Sequence, residues 1–270
     1  MRVIDTDGAR IAYDRSGRGP AVVLIQGAGV VGEGWRPQVA ALESRFDMVR
    51  LDNRGIGAST TTGALTIEAM AADVIAVMDA ERLDRVHLAG HSMGGLIGQE
   101  VALMAPSRVR SLALLCTFAH GAQAATISLA MIATALRTRI GTRAMRRRAF
   151  LELVMPQDYL RTVDCGALAE DLRSIFGHDL SAQPSIALRQ VRAMARFDRF
   201  ARLPALASIP TLVVSAEHDR IARRAYGREL AGAIPGAKYL EIPAAGHAVT
   251  IQEAGKVNAA LAAHWSAAVA

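Results

Sequence analysis

Lysine is almost missing from this chain: Lys238 and Lys256 are the only two among 31 basic residues, so the net charge of +6 rests on arginine. Aromatic residues are scarce as well, at 4% of 270 positions. A basic balance invites a nucleic-acid reading, but such surfaces pair clustered cations with aromatic platforms for the bases. Here the arginines are spread out except for Arg137, Arg139, Arg143, Arg146, Arg147 and Arg148, and no aromatic residue interleaves with that cluster. Nucleic acid is therefore not an expected partner. The cluster reads as a solvated helix face, with a preference for anionic substrates as the alternative.

Cysteine is limited to Cys116, at the end of an apolar run, and Cys165, in a polar stretch. That pattern predicts two free thiols in a reducing cytoplasm and not a disulfide scaffold. Neither cysteine has metal-ligand spacing, and the seven histidines do not cluster with carboxylates along the sequence, so no metal and no other cofactor is expected. Long hydrophobic runs are missing too. Ile127 to Leu136 comes nearest and is too short to span a membrane. The N-terminus, Met1 to Asp7, lacks the apolar segment of a secretory signal. A cytoplasmic protein with no membrane insertion is expected, and no feature names an oligomeric partner.

What is present is an alternation of strand and helix. Val3–Asp5 and Arg10–Tyr13 flank Asp7-Gly8 as a hairpin. Strand-like segments follow at Ala21–Ile25, Met48–Asp52, Val86–Ala89, Val109–Leu115 and Pro210–Ser215, and the first is a continuous apolar run, as a strand buried on both faces requires. Between them lie helical segments such as Ile67–Met78, capped by Thr66. Helices are also predicted at Trp35–Leu42, Arg223–Ala233 and Val249–Trp265, with a last strand at Ala237–Ile242. The pattern predicts an α/β fold, a doubly wound and mostly parallel sheet. It breaks from Phe118 to Arg202, which is rich in Ala, Arg, Leu and Met and has no strong strand. Residues 118–202 are thus expected to form a helical cap, or lid, inserted into a core made of 1–117 and 203–270.

Gly90-His91-Ser92-Met93-Gly94-Gly95 joins one of these strands to the next helix. The pattern G-x-S-x-G in that context is a sharp turn that holds a serine oxygen in the open, with the Met93 amide beside it at a helix N-terminus. A serine needs a base to take its proton and a third group to orient the base. In a doubly wound sheet these must sit on loops at the C-terminal strand ends. Two such loops carry the right chemistry: Glu217-His218-Asp219 and Gly246-His247. His91 and His218 flank these candidates and are read as a packing residue and a turn residue.

Together with Gln26-Gly27-Ala28 and Asp52-Asn53-Arg54-Gly55-Ile56-Gly57-Ala58-Ser59, these motifs resemble the α/β-hydrolases over nearly the whole chain. The resemblance implies a triad in the order Ser92, Asp219, His247, with Glu217 as the rival for the acid. It implies an oxyanion hole from the backbone amides of Ala28 and Met93. Gln26 departs from the family, which commonly has His-Gly before the donor. Arg54 and Asp52 are read as structural ties. Gln26, Trp35 and Phe118 are candidates for lining the substrate pocket.

Members that attack carbon by displacement use a carboxylate nucleophile, which Ser92 excludes. What remains is acyl transfer from a small-molecule ester or lactone, by a cofactor-free carboxylesterase or lactonase. Alternatives on the same fold are carbon–carbon bond hydrolysis, perhydrolysis, and a non-catalytic ligand receptor.

Overall fold

The computed structural model describes residues 1–126 and 129–268. The apolar runs form a nine-stranded sheet: β1 (Arg2–Thr6), β2 (Ala9–Gly17), β3 (Ala21–Ile25), β4 (Asp47–Leu51), β5 (Thr60–Thr61), β6 (Val86–His91), β7 (Val109–Leu115), β8 (Thr211–Ala216) and β9 (Lys238–Ile242). Their order is β1-β2-β4-β3-β6-β7-β8-β9, and the short β5, not anticipated from sequence, pairs with β2. From β4 to β9 every pairing is parallel, and only the β1–β2–β4 edge and β5 run antiparallel. Every residue of β6 and β8 is buried, His87 and His91 of β6 included, as suits central strands covered on both faces.

The chain leaves β3 toward β4 through α1 (Arg36–Leu42), then returns to the other side of β3 through α2 (Ile67–Ala80) to reach β6. Right-handed crossovers in opposite directions place helices on both faces of the sheet. They also open a crevice between the C-terminal ends of β3 and β6, where the winding reverses. Both Gln26-Gly27-Ala28 and Ser92 lie at those two ends. Thr66 caps α2 as anticipated, its Oγ1 accepting from Ala69 N–H at 3.1 Å.

The final helix is broken where one continuous helix was expected. α10 (Val249–Gln252) and α11 (Ala254–Ala267) are separated by Glu253 at φ −122°, ψ 40°. Beside the break, the side-chain amide of Gln252 is used by the preceding loop. Its Nε2 donates to Ala244 O and its Oε1 accepts from Gly246 N–H, each at 2.9 Å.

Between β7 and β8 lie α4 (Leu129–Arg137), α5 (Arg143–Val154), α6 (Gln157–Arg161), α7 (Cys165–Phe176) and α8 (Ser185–Arg196), with no strand among the described residues. Ile127 and Ser128, which open the apolar run noted above, lie outside the described residues. Phe150, Leu151, Leu160, Leu172 and Phe176 form a small core of their own, which reaches Ala248 in the sheet's last loop. Cys116 and Cys165 are free thiols. No helix among the described residues is long and apolar enough to cross a membrane.

Candidate active site

Ser92 occupies the turn between β6 and α3 (Met93–Met104), at φ 54° and ψ −117°. L-residues rarely hold such a backbone unless their surroundings over-determine it. Here they do. Ser92 N–H donates to Leu115 O at 2.9 Å, and Ser92 O accepts from Gly95 N–H at 2.9 Å and from the Thr117 hydroxyl at 2.6 Å. The flanking glycines are required by contact: a Cβ on Gly90 would run into the Gly94 carbonyl, and one on Gly94 into the Ile25 carbonyl. Gly94→Ala should therefore destabilise the fold by about 1–3 kcal/mol, the usual cost of overpacking. Urea unfolding measures this, and a variant as stable as wild type would show that the turn relaxes freely.

His247 sits on the loop after β9, its Nδ1 2.7 Å from Asp219 Oδ2. The Asp219 carboxylate is fully buried, and its other oxygen accepts from Ile221 N–H at 2.8 Å and Ala222 N–H at 2.9 Å. Those fixed donors leave one oxygen for the imidazole. Glu217, the rival acid, instead accepts from Ala244 N–H at 2.9 Å and is partly exposed. Gly246 is required because the α5 C-terminus passes close by: Val154 O would lie 2.6 Å from a Cβ there, and the same carbonyl accepts from Ala248 N–H at 3.0 Å.

The loop after β3 approaches Ser92 closely, with only 3.2 Å between the serine Cβ and the place a Cβ on Gly27 would take. The Gly27 amide donates to Gln26 Oε1 and the Gly29 amide to Gln190 Oε1, both at 2.8 Å. The Ala28 N–H between them has no hydrogen-bond partner among the described residues. Met93, as first residue of α3, has an amide left over by the helix ladder.

These pieces agree with the comparisons to known proteins. A family model described as alpha/beta hydrolase fold matches residues 20–254. The chain belongs to the α/β-hydrolase family. A protein of Variovorax paradoxus named for carbamate hydrolysis, RutD, is 32% identical over 90% of this chain and 90% of its own length. A Mycobacterium tuberculosis protein named as a non-heme bromoperoxidase, BpoC, is 30% identical over 93% and 95%. Among solved structures, the enol-lactonase of Burkholderia xenovorans superimposes with a TM-score of 0.81 at 29% identity, covering 98% of this chain and all of its own.

In this α/β-hydrolase, Ser92 and His247 line one cavity of about 320 Å³, together with Gln26, Ala28 and Phe118. Trp35 does not belong to it. Its side chain is fully buried in the main core, where the 3₁₀ turn Gly32–Trp35 turns the ring inward against the sheet. Arg54 and Asp52 are structural, as expected. Arg54 pairs with buried Asp73 and donates to Ala64 O at 3.1 Å, while Asp52 accepts from Gly32 N–H at 2.7 Å and Ala58 N–H at 2.9 Å.

Gln190 escaped the sequence reading: buried on α8, it links the Gly29 amide to Arg54 O, 3.2 Å from its Nε2. His91, read as a packing residue, is buried between the loops after β3 and β9, its Nε2 2.8 Å from His247 O and its Nδ1 3.1 Å from Gln26 Oε1. Burial pushes its pKa down to about 3, so the ring is neutral and has one N–H for two acceptors. Gln26 Oε1 is already served by Gly27, so we assign the proton to Nε2. Cys116 follows β7 at φ 44°, and burial, reinforced by the neighbouring Asp219 carboxylate, pushes its thiol well above its ordinary pKa.

His91, Cys116 and His247 bring ligand-type atoms within 4.8 Å of one another, a grouping that spacing along the chain could not reveal. Each is otherwise engaged. His91 serves the His247 carbonyl, His247 faces Asp219, and the protonated thiol is a poor ligand. The arrangement favours a hydrogen-bonded cluster over a metal centre.

Proposed function

We propose that the chain is a serine hydrolase that cleaves a carboxylic ester or lactone through an acyl-enzyme, with Ser92, His247 and Asp219 as its triad. The reading is carried by the buried 2.7 Å contact between Asp219 and His247 in a cavity that Ser92 also lines. Its apolar walls and few convergent polar groups suit a small organic substrate.

In this mechanism the His247 Nε2 takes the Ser92 proton as Oγ adds to the carbonyl carbon. The Ala28 and Met93 amides hold the oxyanion. The C–O bond to the leaving group breaks as His247 returns the proton to that oxygen. Water then adds to the acyl carbon with His247 again as base, and the Ser92–acyl bond breaks. Asp219 keeps the ring in the tautomer with its lone pair at Nε2 and stabilises the imidazolium. The helices of residues 118–202 act as a lid over the cavity, and the free thiols suit a cytoplasmic setting.

The likeness to BpoC favours a second reading, in which hydrogen peroxide replaces water and the product is a peracid. The likeness to RutD extends the acyl donors to carbamates, which pass through the same acyl-serine.

The test is a series of p-nitrophenyl esters of increasing acyl length, combined with an organophosphonate label located by peptide mass. A burst of p-nitrophenolate and a label on Ser92 that is lost in Ser92→Ala are expected. A folded enzyme that turns over no ester and takes no label would overturn the reading.

A further inference from the structure

The cavity that holds Ser92 is lined largely by hydrocarbon, and no aspartate or glutamate side chain is among its lining residues. Apart from His91 and His247, one ionisable side chain faces it: Arg139, in the turn between α4 and α5. We propose that Arg139 is the anion-recognition residue of this pocket and that the preferred substrate is an ester or lactone with an apolar body and a carboxylate. The inference rests on the acyl-enzyme reading above.

Among the described residues of the cluster, Arg139 is singled out by lining the cavity while having no carboxylate partner; Arg146 also has no ion pair but does not line the cavity. Arg137 lies 3.0 Å from Glu152, and Arg148 also reaches Glu152 at 3.0 Å. Arg143 pairs with Asp179, and Arg147 spans Asp179 at 2.5 Å and Glu170 at 2.7 Å. The guanidinium of Arg147 holds the Asp179 carboxyl well below the usual carboxylate range. Four cations of the cluster are thus neutralised by fixed partners, as a structural face requires. Arg139 meets no carboxylate among the described residues.

Its surroundings make that free charge consequential. Leu188, an apolar residue that also lines the cavity, is 47% exposed, so the lining reaches solvent with an apolar side chain as well as with Arg139. A planar guanidinium pairs with a carboxylate by two parallel hydrogen bonds, and a nearby apolar surface reduces the competition from water. A neutral ester would satisfy the walls and leave Arg139 to solvent. A monoanionic one would satisfy both.

The experiment compares p-nitrophenyl octanoate with the mono-p-nitrophenyl ester of suberic acid, which has the same chain length and ends in a carboxylate. The quantity read is the ratio of kcat/KM for the anionic ester to that for the neutral one. Because Arg139 is exposed, its substitution should not impair folding. Arg139→Ala should lower the ratio about three- to tenfold. Arg139→Glu should lower it further by repulsion, and Arg139→Lys should retain part of it. Raising the salt concentration should shrink the ratio in wild type and not in Arg139→Ala. A ratio unchanged in both the Ala and Glu variants, with neutral turnover intact, overturns the assignment of Arg139 alone. Absence of Ser92-dependent turnover for both esters overturns it together with the acyl-enzyme reading.

Discussion

In Asp219→Asn, kcat for ester hydrolysis should fall about 10⁴-fold, the loss expected when a triad base is held in the wrong tautomer. The geometry explains why so small a change has so large an effect. Asp219 Oδ1 is fixed by the Ile221 and Ala222 amides, so an asparagine would keep its carbonyl oxygen there. Its NH₂ group would then face His247 Nδ1, where a carboxylate oxygen now lies at 2.7 Å. Two donors cannot share that contact. The ring would present its Nδ1 lone pair to the amide and carry its proton on Nε2, toward Ser92, where it cannot accept another. The imidazolium of the transition state would also lose its buried counter-charge. Glu217→Gln should stay close to wild type, because Glu217 is partly exposed and its partners are the Ala244 amide, His218 and Arg224, not His247. The check is kcat for both variants at neutral pH, with thermal unfolding to confirm the fold. An Asp219→Asn enzyme that retained a tenth of wild-type activity would sink the assignment, and a severe loss in Glu217→Gln would transfer it.

That choice between Asp219 and Glu217 shows how far the sequence could be read. Strands buried on both faces are rich in apolar residues, so β3, β6, β7 and β8 were legible with their order of alternation. The turn at Ser92 was legible because G-x-S-x-G is a local motif, although only Gly90 is imposed locally, by the Gly94 carbonyl, while Gly94 is imposed by the Ile25 carbonyl of β3. Residue placement beyond a turn is another matter. Trp35 was placed correctly near the loop after β3, but which way its ring points depends on a 3₁₀ turn that sequence does not announce. Gln190 reaches the Gly29 amide from 161 residues away, and nothing in the local pattern around it signals that contact. The same holds for Cys116 and His91, drawn beside His247 only by the order of strands in the sheet. The Glu253 break was hidden for a different reason. Val249 to Trp265 has good helical periodicity throughout, and the backbone break at Glu253 leaves no mark in that pattern.

Acid should destabilise this hydrolase before its carboxylates titrate, because a strand of the site carries a histidine that the fold keeps neutral. His87, on β6, is fully buried, and its ring lies 6.2 Å from that of Trp265 and 6.4 Å from that of Phe46. Its Nδ1 contacts Ser111 Oγ at 2.8 Å, while Nε2 has no partner among the described residues. Protonation would place a charged N–H without an acceptor in hydrocarbon. Burial, aided by the positive charges of Arg110, His264 and Arg85, lowers its pKa from 6.5 to about 4. A histidine with a depressed folded pKa stabilises the fold fully above the unfolded value of 6.5. Below that the unfolded chain binds a proton that the folded chain refuses, so stability falls with pH until the folded ring itself titrates near 4. Over the interval from pH 7 to pH 5 the expected loss from His87 is about 2 kcal/mol. His91 and His264, also lowered chiefly by burial, add losses of the same sign. Glu81, which hydrogen bonds with Arg2, Tyr13 and Arg15 hold at about 2 despite burial, begins to contribute only at lower pH. Urea unfolding of wild type and His87→Gln at pH 7 and pH 5 isolates the ring. The variant should be less stable at pH 7, and its stability should change less between the two pH values. An undiminished pH dependence in His87→Gln would mean that the ring protonates within the folded state. Because β6 leads directly into Ser92, loss of activity in acid should follow this unfolding.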